Sequence, residues 1–180
     1  MIGIVIAIIE CLIIANFIIK SLEPKIFKHR VWLLYLILTI LLFIDIELLN
    51  IVIRGASITG ILQIIICFIF SLIFLNGSIY KKILISVISN ILILIINVTI
   101  MTILSAFLDT DIMELIEQQN AIWLYAILLS KLCYFLATIF LLTIQKKTPY
   151  QLSIKEGSAI LLIFIVTLLI GITTLEQNIV

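Results

Sequence analysis

The sequence predicts an all-α, polytopic integral membrane protein, a bundle of about six transmembrane helices, and three observations lead there. Of its 180 residues, 64% are hydrophobic and only 12% charged, and the mean hydropathy is +1.42. That is more apolar surface than a globular core of this size can bury. The apolar residues fall into runs of about 20, the length a helix needs, at about 1.5 Å per residue, to cross about 30 Å of hydrocarbon. These runs lack the two-residue alternation of a membrane barrel, so the abundant isoleucine does not argue for strands.

Helices are expected at 2–20, 31–53, 58–76, 81–108, 121–145 and 157–175, as one membrane domain over 1–180. The first run has the length of a secretory signal. Its basic residues follow it instead of preceding it, however, and no A-x-A cleavage pattern occurs, so it reads as a retained helix. The second follows Arg30 and carries Trp32 and Tyr35 at its start, where aromatic belt residues belong. The third is set off by Arg54 and ends before Tyr80, Lys81 and Lys82, which lead into the long fourth. The fifth opens at Trp123 and Tyr125 and runs to Lys146 and Lys147; the sixth lies between Lys155 and Glu176.

Positively charged short loops stay on the cytoplasmic side. Lys20, Lys25, Lys28 and Arg30, then Lys81 and Lys82, then Lys146, Lys147 and Lys155 all fall in odd-numbered connectors. The second connector, by contrast, has only Arg54, and the fourth has Asp109, Asp111, Glu114 and Glu117 and no base. The expectation is therefore a multi-pass protein of a bacterial cytoplasmic membrane with the N-terminus outside and the basic loops inside. Six crossings return the end outside, where Glu176, Gln177 and Asn178 precede Ile179 and Val180. Two readings fit: a complete six-helix protein with a short outer tail, or a larger protein interrupted before a seventh crossing.

Ionisable groups within hydrocarbon cost roughly 2.5–3.5 kcal/mol each on insertion scales, so each needs a partner or a purpose. Four stand out: Glu10 in the first helix, Asp45 and Glu47 in the second, and Lys131 in the fifth. Lys131 is expected to pair with an acid across helices, with Glu10 and Asp45 the favoured partners. Glu47 shares a face with Asn50 and Arg54 and is served within its own helix. Asp45 and Glu47 point about 200° apart, which disfavours a paired-carboxylate catalytic site. The same four charges are also candidates for ligand sensing or ion coupling. In the fourth helix Ser86, Asn90 and Asn97 fall within about 40° of one another at about 100° per residue. That stripe reads as interhelical hydrogen bonding or as the lining of a binding cavity.

The acidic segment 109–120 interleaves Ile112, Met113, Leu115 and Ile116 with its charges. It reads either as a solvated connector or as a half-buried helical turn at the outer interface, anchored by Trp123 and Tyr125. Cys11, Cys67 and Cys133 sit in different runs without CxxC spacing, so neither zinc nor a disulfide framework is expected. His29 lies in a basic connector between Lys28 and Arg30, a topology anchor that touches anionic head groups, with no partner for a metal site or nucleophilic triad. No Gly-rich phosphate loop occurs. Catalytic residues, cofactors, metals and nucleic-acid partners are thus not expected, whereas the lipid bilayer is.

In several respects the pattern resembles the membrane sensor region of accessory-gene-regulator type sensor histidine kinases, the peptide-quorum-sensing group with a GHKL-type ATPase domain. The shared features are a first helix with a mid-span acid, Glu10, followed by a basic loop, and a Tyr80, Lys81, Lys82 entry into a long fourth helix. An acidic outer segment ending at Asn120 and the Ser130 and Lys131 pair complete the likeness, which covers nearly the whole chain. The resemblance implies a two-component receptor for a secreted peptide that signals through a homodimeric kinase, with Glu10, Lys131 and the outer acidic segment as sensing candidates. The final helix, the phospho-accepting histidine region and the ATPase domain of that family are missing from this sequence. The isoleucine-rich, alanine-poor composition fits a low-GC, Gram-positive source.

The expectation from sequence is a non-enzymatic membrane receptor for an extracellular peptide. The competing expectation is a substrate-binding component of an energy-coupling-factor importer, which has a similar size. The first helix offers only Ala7 and Ala15, however, with Glu10 between them, and lacks the compact small-residue motif such components use for docking. An intramembrane protease would need a nucleophile and base at matching depth, and no Cys and His fall that way.

Overall fold

The computed structural model describes residues 2–52, 56–108 and 121–147. They form five helices: α1 (Ile2–Ser21), α2 (Val31–Val52), α3 (Ala56–Phe74), α4 (Ile79–Leu108) and α5 (Ala121–Lys147). Among the described residues there is no strand, only an isolated bridge between Pro24 and Leu75. Three helical stretches are long and apolar enough to cross a membrane, Gly3–Ser21, Ile79–Leu108 and Ile122–Gln145; shorter apolar stretches occupy Val31–Ile46 and Gly60–Phe74. The chain is an all-α, membrane-associated protein. The expected helix at 157–175 lies outside the described residues, so five of the six expected helices are seen.

The helices pack as a ring in chain order, α5 closing back onto α1, and α1 also touches α4 across the ring. That position explains why the second half of α1 is buried on most sides: Cys11, Ile14, Ala15 and Ile18 are all at 0% exposure, while Ile4, Val5, Ile8, Ile9 and Leu12 stay exposed. Whereas α4 buries a broader face that includes Ile85, Ser86, Val87, Ser89 and Asn90, α3 and α5 bury stripes that recur every fourth residue. On α3 these are Gln63, Cys67, Ser71 and the following Leu75; on α5 they are Ala126, Ser130, Tyr134, Thr138 and Leu142. Such i±4 rows are the ridges along which helices interlock. Small and polar side chains are common inside, while Phe107 (85%), Phe140 (65%) and many leucines and isoleucines face outward. Lipid is as apolar as leucine, so close packing and polar contacts, not apolar burial, hold helices together there.

The connectors 22–30 and 75–78 are knitted together at one end of the bundle. The Lys25 N–H donates to the Phe74 carbonyl at 2.8 Å, the Asn76 N–H to the Glu23 carbonyl at 2.7 Å, and the Asn76 Nδ2 to the Pro24 carbonyl at 3.3 Å. Phe74 stacks on Phe27 at 6.5 Å. This turn sets two boundaries, each two residues from the expected one: α3 ends at Phe74 and α4 starts at Ile79. The cause is local. Gly77 adopts φ 124°, a conformation that only glycine takes readily, and the Ser78 hydroxyl accepts a hydrogen bond from the Lys81 N–H at 3.3 Å as an N-cap.

Candidate functional site: a polar seam and the groove beside it

The Lys131 Nζ lies 2.6 Å from the Glu10 Oε2, an ion pair between α1 and α5, with side-chain exposures of 9% and 19%. Glu10 adjoins Cys11 on the buried centre of α1, about three turns from the basic end. Lys131 adjoins Ser130 on the buried stripe of α5. Of the two acids that the sequence left open as partners, the structure places Glu10 against Lys131. Each charge satisfies the other where water is scarce, and removing one alone leaves an uncompensated buried charge.

Asp45 is placed differently. Leu34, Leu38, Leu42 and Asp45 share the core face of α2, and Asp45 is 4% exposed. Among the described residues neither of its carboxylate oxygens has a hydrogen-bond partner. It lies within electrostatic reach of Cys11 and Cys67. The side chain of Glu47, and with it the pairing to Asn50 and Arg54, lies outside the described residues, as do Asp109, Asp111, Glu114 and Glu117. No group of three His, Cys, Asp or Glu close enough to hold a metal ion occurs among the described residues.

The fourth-helix stripe turns mostly onto its own backbone. Ser86 Oγ donates to the Lys82 carbonyl at 2.9 Å, and Asn90 Nδ2 donates to the Ser86 carbonyl at 2.9 Å and to Ser89 Oγ at 3.3 Å. Back-bonding of this kind satisfies hydroxyls and amides inside an apolar bundle. Asn97 is half-buried and joins none of these bonds. The link between helices comes from residues not singled out in the sequence: Tyr134 Oη on α5 donates to the Ser89 carbonyl on α4 at 3.0 Å. Ser130, Tyr134 and Thr138 recur every fourth residue in an otherwise apolar run, and that spacing was the available signal.

Between α1 and α5, with Tyr35 of α2 at its side, runs a groove of about 800 Å³. Its walls are mainly Leu and Ile, joined by Phe135, and its polar lining comprises Asn16, Lys20, Tyr35, Lys131 and Thr143. Tyr35 Oη donates to Asn16 Oδ1 at 3.4 Å. The volume lies within the range of small-molecule sites, about 300–1,000 Å³. Trp123 is half-buried near the start of α5, whereas Tyr125 is 71% exposed. No protein-family model, curated protein or solved structure matches this chain.

Proposed function

We propose that the chain is a non-enzymatic receptor module of a bacterial cytoplasmic membrane, crossing it several times with its basic connectors inside, that recognises a short secreted peptide. The observation that carries this reading is the Glu10–Lys131 pair, which joins α1 to α5 mid-helix on the wall of a groove. A charged pair in an apolar bundle marks a functional position by default. It is also a natural two-state contact, because a ligand that brings its own carboxylate or ammonium competes for one member. Binding then shifts the population of two helix packings in proportion to its differential affinity for them.

Purified full chain in lipid nanodiscs, exposed to the peptide fraction of the producer's own culture fluid, tests the proposal. The expected result is a raised unfolding temperature together with altered amide exchange around Lys131. Absence of both effects with every fraction overturns it. The groove's size favours one second reading, a substrate-binding importer component; co-purification with an ATPase complex and tight binding of one vitamin would decide for that.

A further inference from the structure

The groove between α1 and α5 has a length and a charge pattern that the receptor reading does not use. On α1 its lining runs from Ile9 to Lys20, about 16 Å at about 1.5 Å per residue. That is half of a hydrocarbon layer about 30 Å thick, the depth of a single leaflet. The walls are apolar and face outward: Leu12, Leu132, Phe135 and Ile139 are all at least 40% exposed. An acyl chain therefore enters from the side without any helix moving.

Polar groups gather at the basic end. Lys20 occupies the last turn of α1 and is exposed, with no acid in ion-pair contact among the described residues. One turn deeper, Asn16 spends its oxygen on Tyr35 and keeps its Nδ2 hydrogens as donors. Lys131 is neutralised by Glu10, and no acid lines the groove. The uncompensated charge of the groove is thus the single positive charge of Lys20, placed at head-group depth.

We propose that this groove binds an anionic membrane phospholipid of the leaflet at the basic end, its acyl chain between α1 and α5 and its phosphate at Lys20 and the Asn16 amide. The lipid dries the flank of the Glu10–Lys131 pair and bridges the two helices that the pair joins. Lipid and peptide would meet at the same groove wall, where Lys131 lies, but the lipid site itself stands or falls whether or not the chain is a receptor.

The test uses purified full chain in detergent, with phosphatidylglycerol, phosphatidylcholine of the same acyl chains, or inorganic phosphate added. Bound lipid is read by native mass spectrometry and stability by the unfolding midpoint. Phosphatidylglycerol is expected to be retained and to raise the midpoint more than phosphatidylcholine, while phosphate alone does nothing. Lys20→Gln is expected to lower phosphatidylglycerol occupancy about fivefold, the effect of one cation at an anionic surface, and Lys28→Gln, on the connector outside the groove, to leave it unchanged. Leu132→Trp, which fills the groove, is expected to displace both lipids while helicity persists. Equal retention of the two lipids, an unchanged Lys20→Gln, equal losses in Lys20→Gln and Lys28→Gln, or a shift with phosphate alone would each overturn the site. So would crosslinks that seat residues 157–175 or a second copy in the groove.

Discussion

Replacing Lys131 by leucine tests the centre of the bundle. The substitution keeps the apolar stem and removes the ammonium that lies 2.6 Å from Glu10. Breaking a buried pair from one side costs about 3–5 kcal/mol in soluble proteins. Two features of this site lower the figure. Glu10 keeps 19% exposure, which lets the stranded carboxylate find some water, and interhelical polar contacts in membrane proteins average only about 0.6 kcal/mol because the unfolded state in lipid finds partners too. The expected loss is about 2 kcal/mol, close to a thirtyfold rise in the unfolding constant. Glu10→Leu combined with Lys131→Leu should recover most of it, since an apolar pair of similar volume replaces an ionic one at little cost. The assay is a double-mutant cycle by detergent-induced unfolding, followed by far-ultraviolet circular dichroism. A neutral Lys131→Leu, or a coupling energy indistinguishable from zero, refutes the pair; coupling of Lys131 to Asp45 instead would mean that the helices meet in a different rotation.

Three other substitutions probe the same reasoning. Asp45→Leu should raise the stability by about 1–3 kcal/mol, because it removes a buried carboxylate with no hydrogen-bond partner among the described residues; a destabilised variant would show that the acid is engaged. Tyr134→Phe removes the hydroxyl that donates to the Ser89 carbonyl and should cost about 1 kcal/mol in the same unfolding assay. Gly77→Ala should cost about 1–3 kcal/mol, since φ is 124° and a Cβ would sit 3.2 Å from Leu22 Cδ2; an unchanged midpoint would show that the turn relaxes freely. Cys11 and Cys67, both buried, should resist a membrane-permeant maleimide until the protein unfolds, whereas Cys133, at intermediate exposure, should label first; uniform labelling would contradict the packing.

The helical class follows from composition and run length alone, because a chain this apolar has no water-soluble alternative and continuous runs of about 20 residues fit only one way of crossing hydrocarbon. The need for an acid beside Lys131 was equally legible, since a lone cation among apolar residues is costly wherever the helices sit. Turn chemistry was read less well. The sequence shows Gly77 and Ser78 plainly, yet the early start of α4 rests on a serine cap and a glycine φ whose consequences extend two residues into the apolar run.

The choice of Glu10 over Asp45 was not legible. Both acids sit in apolar helices that are hydrophobic on every side, so no amphipathic asymmetry shows which face turns inward. The decision belongs to the order of the helices around the ring and their rotation, which sets residues 121 positions apart side by side. For the same reason Tyr134 came to bridge α5 to α4 while Asn97 stayed out of the hydrogen-bonded stripe. Burial against lipid costs a helix face nothing, and packing against a neighbour is what tells one apolar face from another.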